Sequence, residues 1–269
     1  MNRLLNVSQI LIKDGITIFG LEIKFYGIII ATAMLIAIFM ARRLCKHRGI
    51  NPDEIYTLAL LIIPFAILGA RIYYCIFSEH GYTFTEFWKI REGGLAIYGG
   101  VIGGIIAIII YCAWKKNFKL IPVLFDVIVP VLIFAQSMGR WGNFFNQEAF
   151  GYEITNSKLQ WFPFGVYIED LQEWHLATFF YESMWNLIGT ALLIFIFYKS
   201  KQTGTTTASY LIYYGIGRFW IEGLRTDSLY LWNTSIRVSQ ALSLVMIVIG
   251  IAILGYNYFK KKGKNVSQN

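Results

Sequence analysis

The run YGIGRFWIEGLRTD places Arg218, Glu222 and Arg225 at i, i+4 and i+7. That spacing forms one stripe of a helix if the preceding apolar segment continues so far. Two guanidiniums bracketing a carboxylate hold it ionised and still offer donors to a phosphate. Upstream, Arg140 opens the stretch RWGNFFNQEAFG, which also carries Asn143, Asn146, Glu148 and Gly151. Short amides and a carboxylate suit the hydroxyls of a polyol, and a glycine permits a tight turn. Each feature has a plainer alternative. The stripe could be an ion-pair staple kept for specificity, and asparagines among glycines could serve Asx turns.

These charges are notable for their surroundings. Arg71, Asp126, Arg140, Glu148, Glu182, Arg218, Glu222 and Arg225 all lie in or beside long apolar runs. A charge at the bilayer centre costs about 2.5–3.5 kcal/mol on insertion scales, so each must pair or line a wet cavity. Arg71 and Asp126 read as structural partners. Arg140 and the 218–225 stripe fall at the outer ends of their segments, at the depth of an anionic headgroup.

The chain is 56% hydrophobic and 15% charged, against about 45–50% and about 25% in soluble proteins. Apolar runs suited to crossing about 30 Å of hydrocarbon lie near 26–43, 55–77, 95–114, 120–138, 177–198, 206–224 and 237–258. The expectation is an all-α polytopic membrane protein of about seven helices, forming a single domain over 1–269. The net charge of +8 falls in clusters between the runs, which argues for membrane orientation and against nucleic-acid binding. Arg42, Arg43, Lys46 and Arg48, then Lys115, Lys116 and Lys119, then Lys199 and Lys201, then Lys260, Lys261, Lys262 and Lys264 mark cytoplasmic ends. The other connections are richer in acids (Glu79, Glu86, Glu92, Glu153, Glu169, Asp170, Glu173 and Asp227) and face outward, with the N terminus outside and the C terminus inside.

An extracytoplasmic arm is expected over 1–25 and a small head over about 140–176, a connection too long for a simple linker. The opening MNRLLNVSQILIKDG does not read as a cleaved signal peptide, and the tail KKKGKNVSQN reads as disordered. In YGGVIGG, Gly99 and Gly103, and likewise Gly100 and Gly104, stand four apart and permit close helix contact. Cys45, Cys75 and Cys112 read as packing residues. His47, His80 and His175 lack metal-ligand spacing, and no GxSxG elbow or Walker sequence is present. No cofactor is expected.

The run Gly139 to Gly151 resembles the GR-x-GNF-x-N-x-E-x-x-G signature of bacterial prolipoprotein diacylglyceryl transferases. Further landmarks of that family stand in order: Tyr26-Gly27, GGLAIYGG from Gly93, HLATFFYE from His175 to Glu182, and YGIGRFWIEGLRTD from Tyr214. The likeness spans nearly the whole chain. It implies a multi-pass enzyme of the bacterial cell membrane, active toward the extracytoplasmic side in lipoprotein biosynthesis. Its partners would be phosphatidylglycerol and prolipoprotein signal peptides with a lipobox cysteine. The diacylglyceryl group moves to that thiol, which becomes a thioether, and glycerol phosphate leaves.

Under this resemblance, Arg140 and Arg218 would hold the phosphate, and Glu222 would orient Arg218 or Arg225. Asn143, Asn146 and Glu148 would meet the headgroup hydroxyls, with Tyr26 and Tyr214 at the interface. Many members carry a histidine where this chain has Tyr98, and often one before the first YG, where this chain has Phe25 preceded by Lys24. With a reference pKa near 10, tyrosine is a poor base at neutral pH. Tyr98 is therefore expected to position thiol or phosphate by hydrogen bonding while arginine potential assists ionisation of the thiol. His175 is a further outer-side candidate. The competing readings are a non-catalytic lipid- or lipoprotein-binding protein of the same fold and a transporter of anionic solutes.

Overall fold

The computed structural model describes residues 15–18, 21–77, 87–88, 93–231 and 234–266. Residues 1–14, Glu79, His80, Glu86 and Glu92, which entered the expectations for the arm and the outer loops, lie outside them. Seven long helices follow the seven expected runs: α1 (Phe25–His47), α2 (Glu54–Phe77), α3 (Ile97–Trp114), α4 (Ile121–Phe145), α5 (Thr178–Lys199), α6 (Thr205–Leu224) and α7 (Val238–Val266). Six are long and apolar enough to cross a membrane. The exception is α6, which opens on three threonines and carries Arg218 and Glu222. One side of it is buried, with Tyr210, Ile221 and Glu222 enclosed, and the other exposes Ile216, Phe219 and Trp220.

Three boundaries differ from the sequence reading. α4 runs on to Phe145, because GRWGNFF continues the helical ladder, so Arg140 and Asn143 sit on the helix and the head begins after it. α7 continues to Val266, so the lysine-rich tail, expected to be disordered, is helical up to that residue. The arm contributes a short antiparallel hairpin, β1 (Gly15–Ile18) with β2 (Leu21–Lys24), in which Gly15 faces Lys24.

The chain divides into two compact units, residues 38–127 and residues 1–37 with 128–269. In the first, α2 and α3 meet through glycines. A Cβ on Gly99 would strike the carbonyl of Gly69, and one on Gly103 the carbonyl of Phe65, whereas Gly100 and Gly104 keep ordinary spacing. Gly99 and Gly103 thus supply the close approach that small residues allow where apolar burial gives no advantage over lipid. Arg71 is buried at the end of α2. It donates to the carbonyls of Phe87 at 2.9 Å, Gly93 at 2.9 Å and Gly94 at 3.0 Å. Its charge is spent on backbone, fixing the segment that leads into Tyr98.

In the second unit, Val129, Ile133, Leu193 and Tyr210 form an apolar core among α4, α5 and α6. Above it Ser137 and Ser183 exchange hydrogen bonds with each other's carbonyls at 2.8 and 3.0 Å, which satisfies two hydroxyls without water. Trp185 and Tyr213 stack at 4.7 Å, and each donates to the other's carbonyl. On α6, Gly215 lies against Ser243 of α7, where a Cβ would come within 2.9 Å of a carbonyl.

Asn186 is fully enclosed on α5, and neither side-chain atom has a hydrogen-bond partner. An unmatched buried amide costs about 1–3 kcal/mol, whereas an apolar group of similar shape costs nothing comparable. Asn186→Leu is therefore expected to leave thermal stability in detergent unchanged or raised. A clear fall in the melting temperature would show that the amide is matched.

Candidate active site

Three helices deliver charge to one level of the second unit, and a fourth adds a hydroxyl. With a rise of about 1.5 Å per residue, Arg140 lies about 7 Å inside the end of α4, Glu182 about 6 Å inside the start of α5, and Arg218 about 9 Å inside the end of α6. Glu182 is the centre. Its Oε1 stands 2.7 Å from Arg140 Nη2, and its Oε2 stands 3.0 Å from Arg218 Nη1. Arg218 is braced on its other side by Glu222 Oε2 at 2.6 Å and by Ser239 Oγ, on the first turn of α7, at 3.3 Å. Glu182 and Glu222 are each 2% exposed, so both charges require this pairing.

Around Arg140 the signature run folds into a polar shelf. Arg140 Nη1 reaches Asn143 Oδ1 at 3.4 Å. Asn143 Nδ2 donates to Glu148 Oε1 at 2.8 Å, and Asn146 Nδ2 donates to the same oxygen at 3.2 Å. After α4, Gln147 and Ala149 adopt left-handed backbone with φ of 49° and 59°, which turns Glu148 back toward the helix end. The Tyr26 ring lies on Gly142, where a Cβ would collide with it, and Tyr26 feels the charges of Glu148 and Arg140. Tyr214 hydrogen-bonds Arg140 and stacks on Tyr210 at 5.5 Å.

Gly151 works by close approach. Its backbone pairs with Arg225, its N–H donates to the Leu176 carbonyl at 2.9 Å, and a Cβ would stand 2.8 Å from both Leu176 and the Leu224 carbonyl. It is not in left-handed backbone, so the expected turn falls to Gln147 and Ala149. The head is completed by the hairpin of β3 (Gly165–Ile168) and β4 (Glu173–Leu176).

The expected i, i+4, i+7 stripe is corrected at its last member. α6 ends at Leu224, and Arg225 is extended with φ −84° and ψ 150°, so it leaves the helical face. Arg225 makes a two-pronged pair with Asp227 at 2.9 and 2.7 Å. Burial opposes ionisation of Asp227, but the hydrogen bonds and charge of Arg225 outweigh it and hold the carboxyl below its ordinary range. Glu222 therefore serves Arg218 alone of the two.

His175, proposed from sequence as a substrate contact, is buried on β4. Nδ1 donates to the Gly151 carbonyl at 2.8 Å, and Nε2 lies 3.3 Å from Glu173 Oε2. Both ring nitrogens are engaged in holding the head together. Tyr98 begins α3 in the other unit and packs against Tyr73 at 6.1 Å.

Sequence reasoning listed Glu182 among the misplaced charges and gave it no role. Charge balance was the available signal, since two arginines near one level require more than Glu222. Arg237 was missed entirely. It donates to the Glu222 carbonyl and, at 3.1 Å, to Tyr152 Oη, which ties the end of α6 to the head. Its position in a polar connection gave no hint of this.

Comparison with known proteins agrees with the geometry. Residues 14–256 match the family model described as prolipoprotein diacylglyceryl transferase. A phosphatidylglycerol--prolipoprotein diacylglyceryl transferase of Clostridium perfringens is 43% identical over 257 residues, covering 92% of this chain and 96% of its own. Relatives of the same name from Clostridium botulinum and Clostridium kluyveri are each 40% identical, covering 90% and 92% of this chain and 95% and 96% of theirs. The chain belongs to the prolipoprotein diacylglyceryl transferase family.

Proposed function

We propose that the protein transfers the sn-1,2-diacylglyceryl group of phosphatidylglycerol to the lipobox cysteine thiol of prolipoproteins at the extracytoplasmic face of a bacterial cell membrane. The observation that carries this is the convergence of Arg140 and Arg218 on the two oxygens of one carboxylate, Glu182. Guanidiniums that converge on the two oxygens of one anion are placed to receive the oxygens of another. The N terminus faces outward and the C terminus faces the cytoplasm, as the basic loops favour.

The substrate sulfur attacks the glyceryl carbon, a C–S bond forms, and the C–O bond to phosphate breaks. Glycerol phosphate departs with the electron pair, and the proton given up by the thiol ends on that phosphate. Guanidinium donors fixed before the reaction stabilise charge gathering on the leaving oxygen, and they need no reorganisation as the bond breaks. The two arginines and the two carboxylates Glu182 and Glu222 balance in formal charge. The site therefore acts through aimed donors more than through a net positive field. Asn143, Asn146, Glu148 and Tyr26 form the shelf for the headgroup hydroxyls, and Tyr214 steadies Arg140. Gly151, Arg225 and His175 shape the head behind that shelf. Tyr98 aligns thiol or phosphate by hydrogen bonding.

The decisive experiment mixes purified protein with phosphatidylglycerol and a lipobox peptide and follows peptide mass. A diacylglyceryl increase on the cysteine is the expected result. In a validated assay, absence of product would leave a lipid-binding protein of the same fold. If Tyr98→Phe retains full single-turnover transfer, the role given to Tyr98 falls while the reaction stands.

A further inference from the structure

The head presents an apolar loop whose place is set by a membrane helix. Within six residues, Leu159, Trp161, Phe162 and Phe164 are 40%, 51%, 48% and 44% exposed. They have not collapsed onto the head's core because the backbone holds them out. The Trp161 N–H donates to the Leu159 carbonyl, the Gly165 N–H to the Trp161 carbonyl at 2.9 Å, and the indole N–H to the Lys158 carbonyl at 3.0 Å. The loop is fastened to the first turn of α5. The Phe164 carbonyl accepts from the Ala177 N–H at 3.2 Å and from the Tyr181 hydroxyl, and the Phe162 ring meets that of Phe180 at 4.8 Å. α5 is one of the helices long and apolar enough to span a bilayer. The exposed rings therefore sit at the level where α5 enters hydrocarbon.

The rest of the head points its charge the other way. β3 and β4 leave this level at the Gly165–Leu176 pair and end at the Ile168–Glu173 pair, about 10 Å farther along the strands. Glu169, Asp170 and Glu173 cluster at that far end, while Lys158 is the only charged residue between 154 and 168. The exposed rings and Lys158 thus lie toward the foot, where Glu153 pairs with His175, while Glu169, Asp170 and Glu173 gather at the tip around Leu171.

We propose that Leu159–Phe164 is a membrane-interface anchor, seated at the headgroup and acyl boundary of the leaflet in which α5 begins. Aromatic side chains favour that layer, a lysine beside them favours anionic lipid, and the acidic tip is carried clear of it. An exposed patch of this kind on an aqueous face would be an association site. Here its attachment to α5 supplies the partner. The anchor would set the height of the shelf at Asn143 and Glu148 relative to the lipid surface.

The test is photo-crosslinking of the whole chain in vesicles of phosphatidylcholine with a minor share of phosphatidylglycerol. Phe162→p-benzoylphenylalanine is compared with the same label at Asp170, with and without a lipobox peptide. The expected result is phosphatidylcholine adducts at 162 and none above background at 170. Because phosphatidylcholine is not the proposed donor lipid, this reading stands or falls apart from the transfer reaction. Equal lipid adducts at the two positions would overturn it, as would adducts at 162 to peptide or protein alone. Trp161→p-benzoylphenylalanine gives the same reading should the label at 162 disturb folding.

Discussion

Glu182→Gln is expected to lose about 3–5 kcal/mol of stability, the usual cost of breaking a buried ion pair from one side. The reason is the asymmetry of the cluster. Arg218 would keep Glu222 at 2.6 Å, but Arg140, whose side chain is 14% exposed, would keep among the described residues only Asn143 at 3.4 Å and Tyr214. An uncompensated guanidinium would then lie inside the bundle. Chemical or thermal unfolding in detergent measures the loss. Combining Arg140→Gln with Glu182→Gln should recover most of it, because the stranded charge is gone, while transfer stays slow for want of Arg140. Wild-type unfolding of the single variant would show that Glu182 does not hold the arginines in the folded protein.

Removing Arg140 should act on rate more than on fold. In Arg140→Gln, Glu182 retains Arg218 at 3.0 Å, and in Arg218→Gln it retains Arg140 at 2.7 Å. Glu182 is never left alone, but Arg218→Gln takes the ion-pair partner from the buried Glu222, so that variant should lose stability as well. Loss of one pre-organised donor to a developing anion costs roughly 100- to 1,000-fold in rate. Arg140→Gln is therefore expected to purify as a folded protein, to bind phosphatidylglycerol vesicles, and to lose that factor in single-turnover transfer, whereas Arg218→Gln should lose rate and stability together. Arg218→Lys should recover little, since a single ammonium cannot reach Glu182, Glu222 and Ser239 together. A folded Arg140→Gln variant with wild-type turnover would remove the phosphate clamp from the mechanism.

The helices were legible because crossing hydrocarbon imposes length and apolarity together, and each expected run matches a long helix within a few residues at most ends. The exceptions have local causes. GRWGNFF looks like a loop because of its two glycines, yet the helical ladder tolerates them, and α4 carries Arg140 inward. Arg225 looked helical by spacing, but its pairing with Gly151 draws the chain into extended backbone. The site residues were found by type and order along the chain. The pairing of both arginines with Glu182 depended on contacts 36 residues apart or more, as with Arg218 and Glu182, and spacing alone carries no record of those. His175 shows the converse, since a lone histidine in a polar run gives no sign that both its nitrogens are already engaged.

The modest apolarity of α6 also bears on biogenesis. A helix carrying Arg218 and Glu222 gains little by partitioning into lipid alone, and Glu222 neutralises Arg218 within the segment before any neighbour arrives. Its stable integration therefore depends on α5, which brings Glu182, and on α7, which packs along it through Gly215 and Gly250. The three helices become a unit of membrane insertion, and the cluster of Glu182, Arg218 and Glu222 is assembled by the same step that retains α6 in the bilayer.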